Sequence, residues 1–187
     1  MSELIVTEFV TLDGVMEAPG GEPGHPHTGW AASMGPDEAA LKSQEVFDHD
    51  ILLVGRVTYE SFAGAWPDYE GEMADRMNSM PKYVVSNTLT DPEWNNTTVL
   101  EGDAMSAVRD LKARDEGSII VAGSRTLVHA LFEADLVDQV QLMVFPVSVG
   151  GGFGVFPQTR KKTAFTLTET KAFPSGIVWQ VFRTSRD

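Results

Sequence analysis

Short apolar segments alternate with amphipathic ones through most of the chain, and this order restricts the fold more than any other feature of the sequence. Segments of strand length lie at Leu4–Leu12, Ile51–Gly55, Tyr83–Asn87 and Ser118–Gly123, and stretches with helical spacing of apolar residues separate them. Alternation of this kind favours a parallel sheet with helices on both faces. The sequence therefore predicts an α/β fold.

The remaining elements complete the sheet and close it with a hairpin. Helices are predicted at Pro36–Asp48, from Val57 or Thr58 to Gly64, at Glu72–Met80, at Ala104–Asp115 and at Ser124–Ala134. Further strands are predicted at Thr97–Glu101, Gln139–Val147, Thr163–Phe173 and Ile177–Arg183, the last two joined by the turn Pro174-Ser175-Gly176. Because only strands follow the last helix, the sheet should end antiparallel. We expect one domain over residues 1–187, with a mostly parallel sheet of about eight strands.

Composition and charge exclude several classes of protein. The chain has no cysteine, which excludes disulfide scaffolds, thiolate zinc sites, iron–sulfur clusters and cysteine nucleophiles. Lys and Arg number 14 against 27 Asp and Glu, a net charge of −13 that repels a nucleic-acid backbone. The first residues lack a basic signal-peptide region, and no apolar run is long enough to cross a membrane. We therefore expect a cytoplasmic protein that binds neither nucleic acid nor membrane.

Two of the predicted strands end in a glycine and pass directly into a helix, and each junction contains an arginine. The first junction is Gly55-Arg56-Val57-Thr58, and the second is Gly123-Ser124-Arg125-Thr126. Open α/β sheets bind ligands at the carboxyl ends of their strands, and the free N–H groups of a helix N-terminus attract anions. The junctions therefore predict a phosphate-bearing ligand, with tight turns and surface arginines as the alternative interpretation.

Several motifs, met in order along nearly the whole chain, resemble those of the dihydrofolate reductase-like superfamily. They are Thr11-Leu12-Asp13-Gly14, Gly55 to Glu60, Pro81 to Ser86, Ala122 to Leu127, Ala134 to Asp138 and Pro146 to Gly152. The chain is most similar to the reductase domain of riboflavin biosynthesis (the C-terminal half of the deaminase–reductase) and its stand-alone relatives. The resemblance implies a three-layer sandwich. Without cysteine the chain lacks the usual zinc deaminase signature, which implies a reductase alone.

The resemblance also implies a cofactor, NADPH, and the residues that hold it. These cofactor-binding residues would be Gly55, Arg56, Thr58, Ser86, Asn87, Gly123, Ser124, Arg125, Thr126 and Leu127. Ser86 and Asn87 would lie near the adenosine 2′-phosphate, and the segment from Gly123 would line the pyrophosphate and nicotinamide. The reaction resembled is that of 5-amino-6-(5-phosphoribosylamino)uracil reductase. Members of the family often form homodimers.

Four residues are candidates for the substrate side of such a site. Asp13 directly follows the first strand, where a carboxylate could orient a sugar hydroxyl or relay a proton, or could instead cap a turn with Gly14. Trp30 resembles part of a mobile lid, although it could equally pack the loop down. Phe62 and Trp66 could form an apolar wall for a flat ring, with core packing as the alternative. We expect no metal site.

Two other functions are weighed beside the reductase. Dihydrofolate reduction is less expected, because the pterin-anchoring carboxylate of that family would fall near Ala39. The neighbouring Asp37 and Glu38 lie in the first helical turn, where solvated carboxylates are common. A non-catalytic, regulatory ligand-binding protein on the same scaffold remains the alternative, because a fold does not determine a function.

Overall fold

The predicted alternation of strands and helices is present in a computed structural model, which describes residues 1–159 and 162–185. The strands are β1 (Leu4–Thr11), β2 (Ile51–Gly55), β3 (Lys82–Val85), β4 (Thr97–Leu100), β5 (Ile119–Ala122), β6 (Gln139–Phe145), β7 (Ala164–Ala172) and β8 (Val178–Ser185). The helices are α1 (Pro36–Asp48), α2 (Arg56–Ala63), α3 (Glu72–Ser79), α4 (Ala104–Ala113) and α5 (Arg125–Glu133), with 3₁₀ turns at Trp30–Ser33 and Trp66–Asp68.

All eight strands belong to one sheet, in the order β4-β3-β2-β5-β1-β6-β8-β7. The strands from β4 to β6 pair in parallel, whereas β8 pairs antiparallel with both β6 and β7. The predicted mostly parallel sheet with a terminal antiparallel hairpin is therefore confirmed. Because β5 returns to lie between β1 and β2, the carboxyl ends of β2 and β5 are direct neighbours.

Alternate residues of each strand enter the cores on opposite faces of the sheet, as the twofold periodicity of a strand requires. On one face, strand residues such as Val6, Leu53 and Val121 pack with Val108 of α4 and Val128 of α5. On the other face there are two further clusters. One joins β2 and β3 to Tyr59 of α2 and Met77 of α3. The other joins β6 and β8 to Ala31, with Leu41 of α1 packed against it.

One boundary near the predicted ligand site differs from the sequence expectation. Helix α2 begins at Arg56, not at Val57 or Thr58, and extended Gly55 precedes it as the N-cap residue. The arginine therefore occupies the first helical position, and its backbone N–H belongs to the helix N-terminus. Elsewhere the helix and strand limits differ from the predicted ones by two residues or fewer.

The long segment between β1 and α1 is packed against a second loop, the one that follows β6. Val15 forms an antiparallel bridge with Gly154, and Met16 N–H donates to the Phe153 carbonyl at 2.9 Å. Within the segment, Trp30 Nε1 donates a hydrogen bond to the Glu17 carbonyl at 2.8 Å, which links two parts of the same loop. Both loops lie beyond the carboxyl end of β1, so they frame the edge of the sheet where ligands of α/β proteins bind.

No helix in the described part of the chain combines the length and the apolar character needed to cross a bilayer.

Candidate functional site

Two hydrogen bonds join the junction after β2 to the junction after β5. The Ser124 hydroxyl accepts a hydrogen bond from the Gly55 N–H at 2.9 Å, and the Ser124 N–H donates to Thr58 Oγ1 at 2.9 Å. Three of the residues predicted to bind a cofactor are therefore in contact. The two hydroxyls accept these bonds and so join the two junctions, and the predicted contact of Thr58 with the cofactor stays a prediction.

The backbone between β5 and α5 explains why this contact can form. Gly123 and Ser124 both adopt left-handed conformations, with φ of 58° and 61°. A Cβ on Gly123 would lie 3.2 Å from Thr58 Oγ1, so glycine permits the close approach of α2. A left-handed serine is unfavourable by itself, and the two hydrogen bonds of Ser124 hold it in place. The special backbone geometry of this junction therefore lies at Gly123 and Ser124.

The helices α2 and α5 begin side by side and neither has a side-chain cap. Among the described residues, neither N-cap residue, Gly55 or Ser124, accepts a hydrogen bond through its side chain from the first turn of its helix. Helix α4 shows the contrast, because the Asp103 carboxylate accepts from the Ser106 N–H at 2.7 Å. The first-turn N–H groups of α2 and α5 are therefore available to an acceptor from outside the chain, and the helix dipoles favour an anion there.

The two arginines of the junctions have different surroundings. Arg56 pairs with Glu60 one helical turn later at 2.7 Å, and both side chains are about half exposed. The guanidinium of Arg125 lies over the Phe153 ring, with 3.3 Å between Cζ and the ring centroid. No ion pair of Arg125 is present in the part of the chain that the structure describes. Arg125 therefore keeps its N–H donors for a ligand, whereas Arg56 must leave Glu60 to reach one.

The other predicted cofactor residues are only partly available. The Ser86 hydroxyl accepts from the N–H groups of Thr88 and Leu89 at 3.1 and 2.9 Å, which closes a turn. Asn87 Oδ1 accepts from the Gly102 N–H, which leaves its amide nitrogen as a donor. Leu127 is buried in the core below α5, so only its backbone can face a ligand, while Thr126 is exposed.

Asp13 connects the two loops at the end of β1. Its carboxylate accepts hydrogen bonds from the Thr11 and Ser148 hydroxyls at 2.5 and 2.9 Å and from the Gly150 N–H at 2.8 Å. These bonds, led by that of Thr11, lower the pKa of Asp13 well below its ordinary value. A carboxylate held ionised in this way does not suit a proton relay near neutral pH. Its role as an orienting group stays a prediction.

The predicted aromatic substrate residues lie in two separate apolar clusters. Trp30 packs edge-to-face on Phe145, with 5.4 Å between ring centroids, and holds its loop down. Phe62 and Trp66 contact each other at 6.4 Å beside the cluster of α2 and α3. Packing, which was the alternative interpretation for these residues, accounts for the contacts observed.

A buried acid that the sequence interpretation missed lies beneath the second junction. Glu8 of β1 is 5% exposed, and its Oε1 has no hydrogen-bond partner in the described chain. Burial raises its pKa well above the ordinary value, against the opposing effects of Lys42 and of the hydrogen bond from the Gly123 N–H. A buried carboxyl group with a raised pKa therefore lies against the Gly123 peptide. An acidic residue in an otherwise apolar strand was the signal in the sequence.

A cluster of buried and partly buried polar side chains lies on the other face of β1. Lys42 of α1 contacts both Thr7 Oγ1 and Glu45 Oε2 at 2.5 Å, and Trp179 Nε1 donates to Glu45 Oε1 at 2.8 Å. Next to Thr7 in the sheet, the Gln141 Oε1 is buried and has no hydrogen-bond partner among the described residues. Sequence analysis missed this cluster, because its members come from four elements that are far apart in the chain.

A cavity of about 460 Å³ lies away from the junctions and contains none of the predicted site residues. Its walls combine four phenylalanines with the strands of the hairpin side of the sheet, and the lining residues include Phe132, Val140, Leu142, Phe156, Phe165, Gln180 and Phe182. The chemistry of the junctions therefore does not depend on this cavity.

A family model described as the RibD C-terminal domain matches residues 2–179 of the chain. The chain belongs to the RibD C-terminal domain family. The uncharacterized protein YyaP of Bacillus subtilis (strain 168) is 27% identical over 184 residues, which cover 96% of this chain and 93% of YyaP.

Solved structures share the fold of this RibD C-terminal domain protein. A pyrimidine reductase-like protein of Corynebacterium diphtheriae matches with a TM-score of 0.71 at 13% identity, covering 100% of this chain and 93% of that chain. A diaminohydroxyphosphoribosylaminopyrimidine deaminase/5-amino-6-(5-phosphoribosylamino)uracil reductase of Thermotoga maritima gives 0.68 at 14% identity, covering 98% of this chain and 57% of that chain. The predicted dihydrofolate reductase-like fold is therefore confirmed.

Replacing Asp13 tests whether it holds the loop after β6. In Asp13→Ala, the N–H groups of Val149 and Gly150 lose their acceptor, and we expect their hydrogen exchange to accelerate about tenfold or more, as loss of a charge-assisted bond implies. Asp37→Ala, at an exposed position of α1, is the control. Unchanged exchange at Gly150 would contradict this role.

Replacing Glu8 tests the buried proton. Because the folded-state pKa of Glu8 is raised, unfolding releases a proton at pH values above the ordinary pKa of 4.5, and rising pH favours unfolding. The neutral variant Glu8→Gln escapes this penalty. We expect its melting temperature to exceed that of the wild type by a margin that grows as the pH rises from about 5 toward the raised pKa of Glu8. A margin independent of pH would show that Glu8 does not titrate differently in the folded state.

Proposed function

We propose that this RibD C-terminal domain protein is an NADPH-dependent reductase of a small heterocyclic or sugar-linked pyrimidine substrate. The observation that carries the proposal is the pair of uncapped helices, α2 and α5, whose N-termini are bonded together by Ser124. Each helix begins with an arginine, so neighbouring sets of N–H donors have a cation beside them. Such an arrangement suits a ligand with several linked phosphate groups.

The residues present fit the phosphates of a dinucleotide. The first-turn N–H groups of α5 and the Arg125 guanidinium would hold the pyrophosphate, while Arg56 and the amide of Asn87 would reach the adenosine 2′-phosphate. When bound, the cofactor supplies a hydride. The loops after β1 and β6, joined by Asp13, would cover the reacting end and exclude water. Trp30, Phe62 and Trp66 remain candidates for contact with the substrate ring.

The substrate class is drawn from the family and from the named relatives. The Corynebacterium protein is called pyrimidine reductase-like, and the Thermotoga protein is named as a 5-amino-6-(5-phosphoribosylamino)uracil reductase. We propose the same reaction here, the reduction of a ribose to a ribityl chain. That substrate carries a phosphate that requires a basic group. Three lysines are considered for this basic group. Lys42 is already paired with Glu45, and Lys162 is exposed. Lys161 lies outside the described residues.

Dihydrofolate reduction is less well supported, for a reason that differs from the sequence expectation. Glu38 is not a solvated first-turn carboxylate, since it is buried at 3% exposure. Its Oε1 accepts from the Ser175 hydroxyl and its Oε2 from the Gly35 N–H. The hydrogen bond from Ser175 is the main cause that lowers the pKa of Glu38. Both carboxylate oxygens are therefore used within the fold, and neither is left to anchor a pterin.

We also propose that the protein works in the cytoplasm as a homodimer. Strand β7 forms one edge of the sheet, and eight of its nine residues are exposed, including Leu167 at 48%. An exposed edge strand has N–H and C=O groups that can pair with another strand. The phenylalanine-lined cavity beside the hairpin would be covered by a second copy of the chain. The oligomeric state measured by light scattering tests this proposal.

Cofactor binding is tested by titrating the protein with NADPH and NADH and following nicotinamide fluorescence. We expect Arg56→Ala to weaken NADPH about tenfold and NADH little, because loss of a charge-assisted bond to the 2′-phosphate affects only NADPH. Arg109→Ala, at an exposed site on α4, is the matched control. Glu60→Gln, which frees Arg56 from its ion pair, should bind NADPH at least as tightly as the wild type.

Three outcomes would count against the proposal. If Arg56→Ala weakened the binding of NADPH and NADH equally, Arg56 would not contact the 2′-phosphate. If the wild type bound neither nucleotide, the proposed NADPH cofactor would be wrong. Binding without oxidation in the presence of the aminouracil would favour the non-catalytic, regulatory alternative.

A further inference from the structure

Phe153 is an exposed aromatic residue in a run of glycines. It follows Gly150-Gly151-Gly152, precedes Gly154 and is 51% exposed. Its ring contacts the guanidinium of Arg125, the first residue of α5, at 3.3 Å from the ring centroid. An exposed phenyl ring gains little from burial at this place, so its contact with the arginine is the interaction that needs an explanation.

The backbone of this segment is fixed on both sides of the ring. Phe153 N–H donates to Glu17 Oε2 at 3.0 Å, and His129 Nε2 of α5 lies 2.9 Å from the Gly154 carbonyl oxygen. A Cβ on Gly152 would lie 2.7 Å from a Val15 methyl, where φ is 135°. The glycines thus allow the segment to pack closely on the loop after β1, and the packed segment places Phe153 over Arg125.

A ring and a carboxylate hold an arginine in different ways. A carboxylate, as in the pairs of Arg56 with Glu60 and of Arg183 with Glu3, occupies N–H donors of the guanidinium. An aromatic ring contacts the face of the guanidinium and leaves the N–H groups at its edge free. In a chain with 27 acidic residues, Arg125 is held by a ring and has no ion pair within the described residues.

We propose that Phe153 is a positioning residue that holds the Arg125 guanidinium at the N-terminus of α5 with its N–H donors directed to a phosphate group. The inference rests on the proposed function and assigns the ligand as the pyrophosphate of the dinucleotide. Phe153 acts through Arg125 and through the neighbouring first-turn N–H groups of α5. The free protein would then hold this part of the site in its binding geometry, which lowers the entropy lost on binding.

The test is a double-mutant cycle on NADPH affinity, measured by calorimetry. We expect Phe153→Ala to weaken NADPH about fivefold, as loss of a partly exposed cation–π contact implies, and Phe153→Tyr to stay within about twofold of the wild type. In the Arg125→Ala background, Phe153→Ala should have no further effect. Phe47→Ala, at a residue of α1 that is 43% exposed, is the matched control.

Three results would overturn the inference. One is unchanged or tighter NADPH binding by Phe153→Ala, which would mean that the ring is neutral or covers the site. Another is the same loss with and without Arg125, and the third is failure of Phe153→Tyr to retain affinity. If the wild type binds no NADPH, the proposed function fails, and the same variants are titrated with inorganic pyrophosphate. If Phe153→Ala weakened pyrophosphate binding only when Arg125 is present, the role of Phe153 would be supported. If the wild type and Phe153→Ala bound pyrophosphate equally well, the role would be overturned.

Discussion

The hydrogen bonds of Ser124 fix the ends of β2 and β5 against each other, and the arrangement of the site depends on them. One bond reaches Gly55 at the end of β2 and the other reaches Thr58 in the first turn of α2. Because parallel neighbours in a sheet lie about 5 Å apart, the helices that follow would crowd each other without a close fit. Gly123 provides that fit, and the N-termini of α2 and α5 then face the same region.

The positive potential at the N-termini of α2 and α5 matters because the protein as a whole is negatively charged. A protein with a net charge of −13 repels anions on average, so binding an anionic cofactor requires local compensation. Uncapped helix N-termini supply positive potential without further charged side chains. Arg125 adds a full charge that no described carboxylate neutralises, whereas Arg56 is shared with Glu60. Burial raises the pKa of Glu8, beneath Gly123, and so disfavours a further negative charge at the same place.

The sequence predicted the sheet well because periodicity and element order report directly on strands, helices and their connections. It also placed the two junctions at the carboxyl ends of their strands, the edge of an α/β sheet where ligands bind. It did not predict that Ser124 and Thr58 bond to each other, because residue types do not reveal which acceptor a hydroxyl chooses. The same limit applies to Ser86, which closes its own turn. Phe153 lies in a glycine run with no periodicity, so its contact with Arg125 left no signal in the sequence.

The most direct test of the central claim is a titration of ¹⁵N-labelled protein with NADPH, followed through the backbone amide signals. The claim is that the joined N-termini of α2 and α5 hold the phosphates of the cofactor. It predicts that the amide signals of Arg56 to Thr58 and of Arg125 to Leu127 shift together with one dissociation constant, while those of β7 stay in place. Shifts confined to the hairpin of β7 and β8, or no shifts at saturating NADPH, would contradict it.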